Sequence, residues 1–187
     1  MVTTRVLAQQ WISVDGFASG PTDEFEIFAA ATDTGDADAY NATLVQQVDV
    51  VLLGAHTYRS FVEFWPTSDH PVARQVNAAT KVVASRTLDE APWGDHDPAR
   101  VAPDAVRFVR DQRTLGGGLI LLWGSLQLMR ALAREGELDQ LEVLVSPLVQ
   151  GSGTSLLGSD GPYRMRQIDG EVWASGLTRL RYDLTTP

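Results

Sequence analysis

The chain contains no cysteine in 187 residues. That excludes disulfides, thiol catalysis and cysteine-ligated metals together. Histidine is almost as scarce. His56, His70 and His96 stand fourteen and twenty-six residues apart with no ligand cluster beside them, so no metal site is expected. Positive charge is also short: 15 basic residues face 24 acidic ones, a net charge of −9. Basic residues gather at most in pairs, which makes nucleic acid and anionic membranes poor partners. No apolar run approaches the ~20 residues that span a bilayer. Met1 to Gln10 holds one arginine without a long apolar core behind it, so no signal peptide is expected and the cytoplasm is the expected location. Neither a P-loop nor a Gly-x-Ser-x-Gly elbow occurs, and no Gly-x-Gly-x-x-Gly follows a strand.

What is present is a folded globular chain, 44% hydrophobic with charges spread along its length. A single domain over residues 1–187 is expected, burying roughly 70% of its unfolded surface. Val50 to Leu53 is a short, continuous apolar run, as a strand covered on both faces reads. Gly54 breaks it, and Tyr58, Phe61, Val62 and Trp65 then recur at helical spacing. A buried strand that turns into a helix at a glycine leaves free N–H groups at the helix start, an anion site to which Thr57 can add a hydroxyl. The alternative is an ordinary strand–helix turn with Thr57 as a cap.

Other elements follow from the same signals. Arg5 to Val14 reads as a strand broken at Asp15-Gly16. An acidic, interrupted segment runs to Asp36 through Asp23, Glu24 and Glu26, where Phe25, Ile27 and Phe28 can anchor a short helix. Asp36 is the expected N-cap of a helix over residues 37–48. Residues 69–79 read as helix, 80–85 as strand, 89–98 as loop, and a helix starts at Pro103-Asp104. Leu119 to Trp123 is a second buried strand, ended by Gly124, with Ser125 expected to cap the next helix. A strand over residues 141–145, a glycine-rich loop at 151–154 and a terminal hairpin complete the chain. Interleaved strands and helices followed by a β-rich end predict an α/β fold with a mostly parallel, mixed sheet flanked by helices.

Three expected strand ends share one character: Gly54-Ala55-His56-Thr57, Ser85-Arg86-Thr87 and Gly124-Ser125-Leu126. Ligands of open α/β sheets lie outside the carboxyl ends of the strands. Two glycine-led helix starts suit a pyrophosphate, and an arginine flanked by hydroxyls suits a phosphate monoester. Together they point to NADP rather than NAD.

In order along almost the whole chain, further short segments carry a family resemblance. Ser13-Val14-Asp15-Gly16-Phe17 resembles the Ser-Leu-Asp-Gly start of the dihydrofolate reductase-like superfamily. Gly54-Ala55-His56-Thr57-Tyr58 is similar to the Gly-Arg-x-Thr-Tyr segment of the RibD C-terminal reductase domain, the second half of the riboflavin-biosynthesis deaminase–reductase. Phe64-Trp65-Pro66, Ser85-Arg86-Thr87-Leu88, Gly124-Ser125, Leu138-Asp139-Gln140-Leu141, Pro147-Leu148 and Gly151-Ser152-Gly153 resemble that family's later elements. The resemblance implies a dihydrofolate reductase-like sheet of about eight strands, NADPH as cofactor and frequent homodimers. It implies that the nicotinamide lies near Val14, Gly16 and the rest of that segment to Gly20, and near Trp123, Gly124, Ser125 and Leu126. The adenosine phosphates are then expected near Gly54, Ala55, His56 and Thr57 and near Ser85, Arg86 and Thr87. Ala55 replaces the family's arginine, which places more weight on Arg86. The Pro-Trp-x-x-Pro signature of true dihydrofolate reductases is missing, which argues against folate.

Hydride transfer to a polar double bond also needs a proton source. By analogy with the pterin site, the candidate acids are Asp38, on the helix before the first buried strand, and Asp15. Each has a structural alternative, in the first turn of a helix or in a turn before glycine. Tyr40, Phe61 and Trp65 are candidates to line a flat substrate pocket, or are core at helical spacing. The reading is an NADPH-dependent reductase of a small heterocyclic or ribosylamino-type substrate. A non-catalytic dinucleotide- or metabolite-binding protein of the same fold and a divergent dihydrofolate reductase are the alternatives.

Overall fold

The buried apolar runs pair with one another through the middle of a sheet. The computed structural model describes residues 3–21, 26–29, 33–158 and 163–185, so Asp23, Glu24 and Phe25 of the acidic stretch lie outside the described residues. In chain order the strands are β1 (Arg5–Ser13), β2 (Phe17–Ser19), β3 (Val50–Gly54), β4 (Lys81–Ala84), β5 (Ala91–Trp93), β6 (His96–Ala102), β7 (Leu119–Trp123), β8 (Gln140–Ser146), β9 (Thr154–Ser155), β10 (Arg166–Val172) and β11 (Thr178–Asp183). The helices are α1 (Glu26–Ala29), α2 (Gly35–Gln46), α3 (Ala55–Phe64), α4 (Ala73–Ala78), α5 (Ala105–Leu115) and α6 (Leu126–Arg134). Among the described residues nine strands form one sheet in the order β10-β11-β8-β1-β7-β3-β4-β6-β5, one more than the expected eight. Its centre is parallel, and β11, β10 and β5 are antiparallel additions at the two edges. The α/β expectation holds. A short ribbon of β2 and β9 stands apart from the main sheet.

Alternation along the central strands sends side chains into two cores. Leu7, Val51, Leu53 and Leu121 pack with Leu44, Tyr58, Trp65 and Val76 on one face. Val6, Ala8, Leu52, Ile120 and Leu122 pack with Phe108, Met129 and Leu132 on the other. Strands sandwiched in this way need apolar residues at every position, which is why Val50–Leu53 and Leu119–Trp123 show no period of two.

Several boundaries differ from the sequence reading. Residues 89–98, expected as loop, hold β5 and the start of β6. Pro92 lies in the edge strand β5, and Pro98 precedes the stretch of β6 that pairs with β4, so neither removes a bond from the β4 ladder. Trp93 is fully buried and its indole N–H donates to Asn77 Oδ1 at 2.8 Å. Helix α2 starts one residue before Asp36, and Thr34 takes the cap position but turns its hydroxyl to Asp38 Oδ2 at 3.0 Å. Helix α4 is shorter than expected and ends where the buried Lys81 ammonium donates to the carbonyls of Asn77 (2.8 Å) and Ala79 (2.7 Å). The 151–154 loop feeds β9, whose approach to β2 requires Gly153: a Cβ there would lie 2.1 Å from the Ser19 carbonyl oxygen.

Where β8 meets β1 and β11, a carboxylate replaces hydrocarbon. Glu142 is fully buried and accepts from Gln9 Nε2 (2.9 Å), the Tyr40 hydroxyl (2.6 Å), Arg181 Nε (2.8 Å) and Arg179 Nη1 (3.3 Å). Removing one partner of a buried ion cluster leaves uncompensated charge, and the loss exceeds that of a surface pair severalfold. Glu142→Gln is expected to lower the unfolding free energy by about 3 kcal/mol. Urea denaturation measures it, and a loss below about 1 kcal/mol contradicts the cluster's role.

Candidate functional site

The register of the parallel strands brings the three expected strand ends to one edge. Gly54 of β3 pairs with Ala84 of β4, and Gly124 follows the β7 residue that pairs with Gln9 of β1. Along this edge runs a cleft of about 1310 Å³. Gly54, Ala55, His56 and Thr57, then Ser85, Arg86 and Thr87, then Trp123, Gly124, Ser125 and Leu126 all line it.

Ser125 ties two of these segments together. Its hydroxyl accepts from the Gly54 N–H at 2.8 Å and donates to Thr57 Oγ1 at 2.8 Å. The backbone of Ser125 is left-handed (φ 60°), alone among the described non-glycine residues. This conformation costs about 1–2 kcal/mol and persists only where the surroundings enforce it. Gly124 before it also has positive φ (65°), and a Cβ there would lie 3.1 Å from Thr57 Cγ2. Ser125 therefore occupies the cap position of α6 without capping it; its side chain crosses to α3 instead. Helix α3 has no side-chain cap, so the N–H groups of its first turn face the cleft edge unclaimed by a capping hydroxyl. Arg86 is exposed, and the Ser85 hydroxyl beside it accepts from the N–H of Thr87 (3.2 Å) and Leu88 (3.1 Å), holding the loop in a turn.

Aromatic rings form the other end of the cleft. Phe61, Trp65 and Trp123 all line it. Trp65 stacks on Trp123 with centroids 5.8 Å apart, and Phe61 meets both edge-on. Phe61 and Trp65 pack against the core and line the cleft at once. Asp38 also lines the cleft, four-fifths buried, with His70 Nε2 at 3.5 Å and the Thr34 hydroxyl on the same oxygen. His70 Nδ1 accepts from the Val72 N–H (3.3 Å), which leaves the proton on Nε2, facing Asp38.

The structure does not bring Val14, Asp15, Gly16 or Tyr40 to the cleft lining. Val14 is exposed, and its N–H donates to the Leu148 carbonyl. Gly16 supplies a positive-φ turn (85°) whose carbonyl accepts from Leu156. The residues of that segment in the cleft are Ala18 and Ser19, two and three positions further on. Tyr40 points instead to the Glu142 cluster, with Arg179 over its ring at 4.6 Å, and burial pushes its hydroxyl pKa up. The Asp15 carboxylate accepts from Ser13 Oγ (2.7 Å) and from the N–H groups of Gln150 (2.9 Å) and Gly151 (2.8 Å). These bonds lower its pKa to about 2. Sequence reasoning missed Gln9, Asn41, Ser60 and Arg130 in the lining. The one signal for Gln9 is a Gln-Gln pair inside an otherwise apolar strand.

The fold and cleft define a dihydrofolate reductase-like protein. A dihydrofolate reductase of Enterococcus faecalis complexed with NADP(H) superposes with a TM-score of 0.64 at 10% identity, with 97% of each chain covered. The sequence match is narrower: residues 4–178 fit the model of the RibD C-terminal domain, and the chain belongs to that family. A crystal structure from Shewanella sp. PV-4, named for riboflavin biosynthesis, is similar at TM-score 0.79 and 18% identity, covering 97% of this chain and 99% of that one. The Thermotoga maritima diaminohydroxyphosphoribosylaminopyrimidine deaminase/5-amino-6-(5-phosphoribosylamino)uracil reductase is similar at TM-score 0.68 and 14% identity over 97% of this chain. This chain spans 57% of that bifunctional protein.

Two expectations follow. Ser125→Ala removes both hydroxyl bonds while keeping the strained backbone, so its unfolding free energy falls by about 1–2 kcal/mol in urea titrations; an unchanged midpoint contradicts the link. Because Asp15 has a lowered folded-state pKa, its contribution is present above 3.8 and fades as pH falls through about 2. A carboxyl-detected NMR titration should give a midpoint of about 2, followed by the Gln150 and Gly151 amide shifts; a midpoint at 3.8 refutes the contacts.

Proposed function

We propose that this chain is an NADPH-dependent reductase that passes a hydride to a small, flat heterocyclic substrate. The observation that carries the reading is the convergence of Thr57, Arg86 and Ser125 on a single cleft. The donor set fits such a cofactor. The first turns of α3 and α6, neither capped by a side chain, offer backbone N–H groups suited to a pyrophosphate. Arg86, with Ser85 and Thr87 beside it, offers a planar cation and hydroxyls for a further phosphate. When bound, NADPH supplies the hydride.

The chain's own residues would do the rest. Trp65, Phe61 and Trp123 keep one end of the cleft apolar and give a flat ring a surface to lie against. Asp38, in the cleft, is the candidate to hold or deliver the proton that accompanies reduction, with Thr34 and His70 holding its carboxyl. Asp15 is the weaker candidate, because three donors hold its carboxylate and it lies off the cleft lining. A homodimer and a cytoplasmic setting belong to the same reading by family resemblance.

Titrating NADPH and NADH while following tryptophan fluorescence tests the reading, because Trp11, Trp65 and Trp123 line the cleft. The wild-type protein should prefer NADPH. Arg86→Ala should weaken NADPH by about tenfold and leave NADH nearly unchanged. Equal affinity for the two cofactors, or an Arg86→Ala loss shared by both, overturns the assignment. Asp38→Asn should retain NADPH binding while abolishing NADPH oxidation in a panel of pteridine and pyrimidine substrates; undiminished oxidation removes Asp38 from the proton path.

A further inference from the structure

The chain is short of cations, and the fold keeps nearly all of them away from the cleft. Its 15 lysines and arginines all fall among the described residues, and of these Arg86 and Arg130 line the cleft. Arg86 belongs to the cofactor reading. Arg130, on α6, is committed to the loop beside it. Its Nε donates to the Leu156 carbonyl at 3.1 Å, its Nη2 donates to the Ser155 carbonyl, and a Cβ on Gly158 would stand 3.5 Å from its Nη1. A phosphate or carboxylate on the molecule reduced therefore finds no further cation in the described lining.

The aromatic wall carries the opposite charge. Asp38 is the one carboxylate of the described lining, and its side chain is 20% exposed. Thr34 Oγ1 donates to its Oδ2 at 3.0 Å, and His70 Nε2 stands 3.5 Å from the same oxygen. With Nδ1 accepting from the Val72 N–H, His70 turns a proton toward the carboxylate without carrying a charge of its own. Neither partner cancels the charge of Asp38, and its Oδ1 takes no hydrogen bond among the described residues. The His70 ring in turn meets Trp65 and Phe64 edge-on, with centroids 5.5 and 6.3 Å apart, and both of those rings line the cleft. Aromatic faces attract organic cations, most of all where water is excluded. An uncancelled carboxylate beside such rings recognises a cation and repels an anion.

We propose that the molecule reduced is an organic nitrogen cation without a phosphate, held against Asp38 and the Phe64–Trp65 wall, with a C=N⁺ group as the hydride acceptor. The proposal rests on the reductase reading and adds the charge of the substrate and the residues that select it. In the step, the hydride forms a C–H bond at the iminium carbon and the C=N π pair moves onto nitrogen, which leaves a neutral amine and the oxidised cofactor. Where the nitrogen bears a proton, Asp38 is the group that keeps it there; where it bears an alkyl group, no proton is needed. Thr34 and His70 are then positioning residues, acting on the substrate through Asp38.

N-methylisoquinolinium, uncharged isoquinoline and 2-naphthyl phosphate have rings of one size and serve as probes. They are titrated calorimetrically, in mildly alkaline buffer, into protein saturated with NADP⁺ so that no hydride is on hand. The cation should bind about tenfold more tightly than isoquinoline, and naphthyl phosphate more weakly than either. Asp38→Asn should bring the cation down to the level of isoquinoline while NADP⁺ affinity stays unchanged. Phe64→Leu, at a ring that is 51% exposed, should weaken the cation about threefold and leave isoquinoline nearly unchanged. No binding of the cation, equal affinity for cation and uncharged ring, naphthyl phosphate binding as tightly as the cation, or a cation preference that survives Asp38→Asn overturns the assignment. The ranking in the wild-type protein stands even if a variant fails to fold. Should NADP⁺ itself not bind, the reductase reading falls, and the cation and isoquinoline applied to the protein alone still decide the charge this wall selects.

Discussion

One hydroxyl group holds the candidate site together. Ser125 accepts from the last N–H of β3 and donates to the first turn of α3, while its own backbone is bent left-handed between β7 and α6. One side chain therefore ties together two strand–helix turns far apart in sequence. The strain is local, and the two hydrogen bonds offset it. A serine is needed for this: it is small enough to fit between two helix starts and carries one donor and one acceptor on one atom.

The rest of the site is arranged around that junction by the parallel register. Because β1, β7, β3 and β4 all run the same way, their carboxyl ends share an edge, and the segments after β3, β4 and β7 line one cleft. The strand-end segments and the tryptophans Trp11, Trp65 and Trp123 line the same cleft. The buried Glu142 cluster joins β8 to the antiparallel β11. Its arginines come from the last strand of the chain, so the C-terminal hairpin contributes to the placement of groups on the central strand.

How much of this the sequence discloses depends on the range of the forces involved. The buried strands and the glycine-led turns are local patterns, and residues 54–57, 85–87 and 124–126, at the ends of such strands, all line one cleft. Beyond reach are the features set by partners distant in sequence. Asp15 and Asp38 are both acids near predicted turns. Only the fold reveals that one meets the amides of Gln150 and Gly151 and the other meets His70 in the cleft. Tyr40 has an aromatic at helical spacing, yet the carboxylate that draws it away lies 102 residues on. Ser125 looks like a cap because it precedes a helix, and its true partners are 68 and 71 residues back. The prolines at 92 and 98 argue for loop, yet one lies in the edge strand β5 and the other ahead of the β6 residues that pair with β4.

The ribbon of β2 and β9 has a separate significance. It shares no ladder with the nine-stranded sheet, and it pairs at only two positions, Phe17 with Ser155 and Ser19 with Thr154. Ala18, Ser19 and Thr154 nevertheless border the cleft. Parting this ribbon breaks no hydrogen bond of the main sheet, so its opening draws on local stability rather than on global unfolding. Insertions or deletions here can reshape the entrance while the architecture beneath stays in register.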